Sequence, residues 1–464
     1  MNIILFWNNI LLECSRRDFT RGFNNSQQPG PIRTSRAMAI VHLAIHDAVA
    51  FETNRPGAAY LNKKAGIVHG IAAPPAGSGL ADTVAGAAVT ALKAMYPRFG
   101  SFIDDAYSGG SNGAFGYGRQ IAQAIIDARA NDNSDVMVTA PQDETLRYGQ
   151  HRADPYAPNQ PRLGLNWGNV PRFTGEDHQD LAPYPGLGVM PLLNDPAYRE
   201  DYDEVREYGA SDRRQRTPEQ ERIGVYWGYD GVMNLGVPPR LYNQIARTIV
   251  AAKSLSIPKT AELFAQLNVA MADAGIDAWH WKYVYDLWRP VVGIRAEGAP
   301  DGDPFWAPLG APQTNASPGR YTLTPPFPAY PSGHATFGAA MFQTMRLALG
   351  TAPGAIALAD VLAEEGGPGD KISAEEFTFI SDELNGIAID PDSSVRQEVP
   401  ITFPNYARAI WENSVSRIYL GVHWRFDGIP RVDTQNVGGV PLGLTIGEEV
   451  HAFFNASPSL GGPT

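Results

Sequence analysis

The sequence predicts an all-α protein, a large helical chain with two packed helical bundles and long ordered loops. Three observations predict it: apolar residues recur at helical spacing along most of the chain, alternation at period two is scarce, and the intervening segments are irregular yet apolar. Amphipathic, often alanine-rich stretches mark helices near 34–51, 80–96, 113–130, 196–209, 218–229, 239–254, 260–286, 333–349 and 405–422. One helix start is written out in full. Thr217 can cap, Pro218 suits the first turn and Gln220 can reach back to close a capping box.

The segments around 150–195 and 296–331 are rich in Pro, Gly, Asn and aromatic residues, too broken for helix and too apolar for disorder, so they read as packed loops. The first of them divides the chain into an N-terminal helical scaffold region, 1–215, and a helical-bundle region, 216–464, packed as one compact unit. The acidic stretch near 360–392 lacks the spacing of a calcium loop and reads as solvated surface.

Composition narrows the partners. The chain has 464 residues, 44% hydrophobic and 19% charged, which is ordinary for a globular protein with a sizeable core. Its 37 Lys and Arg against 49 Asp and Glu leave a net charge of -12, which repels polyanions and argues against nucleic acid or an anionic membrane as partner. An anion site must then be a local exception. The single cysteine, Cys14, lies in the amphipathic stretch ILFWNNILLEC; it excludes an internal disulfide and suits core packing. No apolar run reaches the ~18 residues that span a bilayer, and no signal-peptide pattern is recognisable, so the chain reads as soluble, with secreted and cytoplasmic locations both open.

Three segments carry chemistry. Lys282 and Arg289 lie seven residues apart near the end of the 260–286 helix, a spacing that puts both cations on one face, with Pro290 disfavouring helix at the residue before it. A proline-rich approach, PPFPAYPSGH, ends with Ser332 at the start of the 333–349 helix, where free N–H groups and the dipole favour an anion and Gly333 leaves room for one. His334 follows in the first turn. In SRIYLGVHWRFD, His423 and Asp427 are four apart, so a carboxylate can orient an imidazole if the helix runs past Gly421.

Taken together these residues resemble the pattern shared by vanadium-dependent haloperoxidases and the type 2 phosphatidic acid phosphatase superfamily: Lys-x6-Arg-Pro, Pro-Ser-Gly-His and Ser-Arg-x5-His-x3-Asp. Longer stretches, among them PPFPAYPSGHATFG, SDELNG, SRIYLGVHWRFD, PPRLYNQIAR and the early HLAIHDA, are similar to fungal vanadium chloroperoxidases over nearly the whole length. The resemblance implies a vanadate pocket, which phosphate can also occupy. In it His423 would bind vanadium axially, and Lys282, Arg289, Ser332, the Gly333 amide and Arg417 would hold the equatorial oxygens. Guanidinium forks and an ammonium are suited to such an oxyanion.

The same resemblance makes His334 the acid–base group and Lys282 a polarising cation, and places the carboxylates Asp230 and Asp427 behind the cations and His423. Phe327 and Trp279 match residues near the presumed halide site. Bromoperoxidases of this class often carry histidine in place of that phenylalanine, so Phe327 favours chloride competence. The implied partners are hydrogen peroxide, chloride, bromide and small organic halogen acceptors; the implied product is hypohalous acid, with vanadium acting as a Lewis acid.

Two other readings use the same residues. An acid phosphatase would make His423 a phosphohistidine nucleophile, oriented by Asp427, with His334 protonating the departing alkoxide. A non-enzymatic oxyanion-binding protein would need the cations but not His334. The pair His42 and His46, with Asp47 adjacent, is spaced like helical zinc ligands but lacks a glutamate after the first His, and reads as structural hydrogen bonding.

Overall fold

The computed structural model describes residues 2–20, 26–110, 112–135, 148–181, 195–212, 215–296, 302–316 and 324–456. The periodic stretches fold as the helices Gly30–Glu52, Leu80–Met95, Gly113–Ala128, Pro196–Tyr208, Pro218–Tyr226, Pro238–Ala251, Ile257–Tyr285, Gly333–Leu349 and Tyr406–Tyr419. The N-terminal amphipathic stretch is a helix as well, Ile3–Asp18, with Cys14 sealed in the core. The capping box at Thr217 is made: its hydroxyl accepts Gln220 N–H, and the Gln220 side chain accepts Thr217 N–H.

Among the described residues strand structure amounts to one antiparallel pair, Phe377–Ile380 with Pro400–Phe403, in which Phe377 faces Phe403 and the two rings stack. Among those same residues no helix is long and apolar enough to cross a membrane. The chain is all-α, as periodicity predicts.

The long helix Ile257–Tyr285 is buried along almost its whole length and packs against Gly30–Glu52 on one side and Gly333–Leu349 on another. Parts of the two long loops, 182–194, 297–301 and 317–323, lie outside the described residues. The rest are packed irregular segments. Phe173 N–H and Thr174 N–H, for example, donate to the buried carboxylate of Asp273 on the long helix, at 2.6 and 3.1 Å. His42 and His46 point to neighbours in the scaffold: His42 Nε2 pairs with Asn8 and His46 Nδ1 with Asp47, whose carboxylate also accepts Tyr60 N–H and Leu61 N–H.

The helix Gly439–Asn455 is absent from the sequence reading because GVPLGLTIGEEV carries three glycines that lower helix propensity. Contact geometry explains them. A Cβ on Gly439 would come within 2.5 Å of Ser332 O, and one on Gly447 within 2.7 Å of Gln343 Cβ. Gly443 between them faces Thr336 O and Ala339 Cβ. The glycines let this helix lie directly on Gly333–Leu349, the helix whose first residues build the site. Gly443→Ala should therefore overpack that seam and cost about 1–3 kcal/mol, read as a lower midpoint in urea unfolding. An unchanged midpoint would contradict the close approach.

The acidic stretch near 360–392 departs from its expected exposure. Glu364, Glu375 and Glu383 are buried, and Glu375 receives a two-pronged pair from Arg346 at 2.7 and 2.9 Å. A run of acids reads as surface only until buried arginines from distant segments meet it.

Candidate active site

Lys282 and Arg289 reach the same place, but not along one helix. The long helix stops at Tyr285; Asp286 adopts φ 47°, and its N–H closes the helix on Lys282 O. Leu287 and Trp288 then pair with Gln150 and Gly149, and Arg289, extended at φ −81° and ψ 157°, caps the short helix Pro290–Arg295. Proline restricts the residue before it, as expected, yet the helix breaks three residues earlier. The two cations meet at the Phe327 ring instead, with Lys282 Nζ 5.1 Å and Arg289 Cζ 5.0 Å from its centroid.

Ser332 caps Gly333–Leu349, its hydroxyl facing Ala335 N–H at 3.5 Å, and His334 sits in the first turn. A Cβ on Gly333 would lie 3.1 Å from Trp279, so glycine here lets the indole close over the helix start. The third segment breaks at Gly421, whose φ of 71° and close approach to Gly209 O exclude a side chain. The helix Tyr406–Tyr419 ends before it, carrying Arg417 in its last turn, and a new short helix, Arg425–Gly428, follows. His423 and Asp427 are thus not on one helix. They still pair: Asp427 Oδ2 accepts His423 Nδ1–H at 2.8 Å and Trp424 N–H at 3.0 Å. Ser332 N–H donates to Asp427 O at 2.6 Å, which ties this turn to the start of the serine-capped helix.

The electrostatics follow from burial. Lys282, Arg289 and Arg417 are sealed from solvent against two carboxylates, Asp230 and Asp427. Arg417 grips Asp230 through two bonds, at 2.7 and 3.2 Å. Burial first, then neighbouring cations, holds the Lys282 ammonium well below its usual range, and burial pushes Arg289 down to about 9. His423, buried beside Arg289 and Lys282, is held far below an ordinary imidazole, so it is neutral, with Nδ1–H on Asp427 and a lone pair on Nε2 facing Arg289 Nη1 at 2.9 Å. Burial raises Asp427 to about 8 against the pull of Lys282 and Arg289.

His334 Nε2 lies 2.7 Å from Gly228 O, 3.2 Å from Trp227 O and 3.4 Å from Arg417 Nη1; the two carbonyls are nearer than the guanidinium and are served by an Nε2–H. Burial and Arg417 bring this imidazole down to about 4. Its own carbonyl is held by Tyr242 OH and the Asn413 amide at 3.0 and 2.8 Å. None of Trp227, Gly228, Tyr242 and Asn413 stands out in the sequence, because each contact closes across 79 or more residues and leaves no local spacing to read.

A cavity of about 660 Å³ opens onto Asp230, Trp279, Phe327, Gly333, His334, Arg417 and His423. Lys282, Arg289, Ser332 and Asp427 are not part of its lining. Lys282 Nζ donates to Pro328 O, Ala329 O and Pro331 O at 2.8, 3.1 and 2.5 Å, so all three of its donors are engaged with the proline-rich backbone. Trp279 and Phe327 pack with ring centroids 4.7 Å apart.

An oxyanion fits these residues. Among the described residues Arg289 Nη2 and Arg417 Nε are buried donors without a partner, three cations face two carboxylates, and a helix N-terminus points at the same place. A tetrahedral or trigonal anion would satisfy the orphaned donors and offset the excess positive charge.

Comparison with known proteins identifies the family and the fold. Residues 1–108 match the model of the vanadium chloroperoxidase N-terminal domain, and residues 262–457 that of the second helical-bundle domain of the same enzymes. The chain is 32% identical to the vanadium chloroperoxidase of Curvularia inaequalis over 92% of this chain and 79% of that protein. Its fold is similar to the crystal structures of a bacterial vanadium-dependent iodoperoxidase (TM-score 0.64, 20% identity, covering 97% of this chain and 94% of the other) and of a holo-type bacterial vanadium-dependent chloroperoxidase (TM-score 0.62, 15% identity, covering 92% of each).

Proposed function

Because the chain belongs to the vanadium chloroperoxidase family of vanadium-dependent haloperoxidases, we propose that it uses vanadate and hydrogen peroxide to oxidise chloride and bromide to hypohalous acid. The observation that carries this reading is the pairing of orphaned guanidinium donors on Arg289 and Arg417 with a neutral, Asp427-anchored His423 whose Nε2 lone pair is free of its own proton. Bound vanadate would supply a Lewis-acidic centre that activates peroxide toward halide.

The residues divide the work. His423 Nε2 would be the protein's ligand to the bound group, with Asp427 fixing its tautomer through Nδ1–H, as carboxylates do for metal-binding histidines. Arg289, Arg417, Ser332 and the Gly333 amide would hold the oxygens of the oxyanion, and Lys282 would join them once one of its carbonyl contacts is exchanged. Asp230 keeps Arg417 aligned and lowers the cost of burying it. His334 takes a proton from incoming peroxide, a role for which a neutral buried imidazole is suited.

Trp279 and Phe327 supply an apolar wall beside the cations, where a halide sheds part of its hydration. Phe327→His should cut chloride oxidation more than bromide oxidation, measured as the ratio of kcat/KM values. Equal losses for both halides would remove Phe327 from the halide site.

The decisive experiment is halogenation of a phenolic dye by the metal-free chain before and after vanadate is added, with peroxide and each of chloride, bromide and iodide. Turnover that needs both vanadate and peroxide supports the proposal, and activity with iodide alone would confine it to the easiest halide. The same anchored His423 also suits a phosphohistidine nucleophile, so phosphomonoester hydrolysis is assayed in parallel. Brisk hydrolysis without halide oxidation would replace the haloperoxidase reading by the phosphatase one.

A further inference from the structure

The carbonyls that face His334 belong to a turn with an uncommon backbone. Tyr229 has φ 53°, in the left-handed region that bulky side chains rarely enter and that persists only where the surroundings enforce it. The enforcing group is a buried carboxylate from far along the chain. Glu383 is fully buried; its Oε1 accepts Tyr229 N–H at 2.9 Å, and its Oε2 accepts from Thr314 Oγ1 and from Arg396 Nη1, the latter at 2.8 Å. Its neighbours grip the same turn: Ser381 Oγ donates to Tyr226 O at 2.7 Å, and Asp382 N–H to Tyr229 OH at 2.9 Å. Gly228 is small for the same reason, since a Cβ there would stand 2.7 Å from Glu383 Oε1.

We propose that Glu383 is a positioning residue for proton transfer: by holding Tyr229 in its left-handed conformation it presents Gly228 O and Trp227 O to His334 Nε2 and fixes the imidazole in the Nε2–H tautomer. The proton-accepting atom is then Nδ1. Asp230 follows directly in the turn, so the same grip sets the carboxylate that aligns Arg417. Glu383 touches neither His334 nor Arg417 and acts only through the backbone between them. A carboxylate is required because both oxygens must accept, one from Tyr229 and the other from Thr314 and Arg396; an amide serves one side only. The consequence for turnover rests on the reading of His334 as acid–base group, whereas the tautomer does not.

The test uses the full chain labelled with 15N at histidine and free of vanadate, whose ring-nitrogen shifts report the tautomer of His334, assigned by its loss in His334→Ala. The wild-type ring should be in the Nε2–H form, whereas E383A and G228A, which disturb the contact from its two sides, should give a mixture of tautomers. In vanadate-loaded protein both should lower kcat for bromide oxidation about tenfold, with KM for bromide within about twofold, as expected for a weakened proton carrier. E383Q, which keeps one acceptor for Tyr229 N–H, should fall between them and the wild type. A wild-type tautomer retained in G228A and in whichever Glu383 variant folds would overturn the proposal, even if stability falls. If the wild type oxidises no halide, the haloperoxidase reading fails, and the tautomer comparison still decides the role of Glu383.

Discussion

His334→Ala should lower vanadate-dependent halide oxidation about 100- to 1,000-fold, the usual span of a positioned acid–base group, while the dissociation constant for vanadate changes less than about threefold. The asymmetry follows from the proposed division of the site: the cations, Ser332 and His423 would make the oxyanion contacts, whereas His334 is held through Nε2 by Gly228 O and Trp227 O, with Arg417 Nη1 3.4 Å away. The pH profile adds a sign. Burial and Arg417 depress the imidazole to about 4 in the chain without ligand, so it is a base above that pH, and the proton-accepting step is lost as pH falls through it. A bound oxyanion stabilises the imidazolium and moves this acidic limb upward. The limb should vanish in His334→Ala; a variant that keeps it, measured by kcat/KM for peroxide against pH, would assign the proton to another group.

His423→Ala should weaken vanadate binding by more than about 100-fold, because even the partners that merely orient a metal-binding histidine carry 10- to 100-fold effects. Turnover should be lost with it. Equilibrium dialysis of vanadate against the purified variant measures the first effect. Unchanged retention would mean that the cations alone hold the anion and that His423 is no ligand. Phosphate separates the readings further: its affinity should change little in the same variant, since guanidinium and ammonium groups need no axial nitrogen to hold it.

Much of the fold was legible because its signals are local. Helical periodicity acts over a few residues, and it marked the stretch 239–254, for instance, close to the helix Pro238–Ala251. The capping box at Thr217 is made of side chains three residues apart and needs nothing else. The helix Gly439–Asn455 was hidden for the opposite reason: its glycines answer to a neighbouring helix, not to their own backbone, and propensity counts them as breakers.

The site shows the same division. Spacing argued that Lys282 and Arg289 share a helix face, and that Asp427 can orient His423 if the helix runs past Gly421. Both pairs do come together, the first at the Phe327 ring and the second by a direct hydrogen bond, but through a broken helix at Asp286 and a break at Gly421. Glu383, within SDELNG, carries no local signal of a role, because its partners Tyr229, Thr314 and Arg396 are brought to it only by folding.

Sequence alone determined the ingredients of the proposed oxyanion pocket, in the sense that the residue types, their order and the three short motifs already specify cations, a helix N-terminus and two histidines. What only the tertiary structure decided is their state. Depth of burial sets Lys282 and His423 far below their usual ranges, and for His334 a pairing with Gly228 O across 106 residues selects which imidazole nitrogen carries the proton. Desolvation and Coulomb interactions depend on distance in space, which a spacing along the chain does not contain.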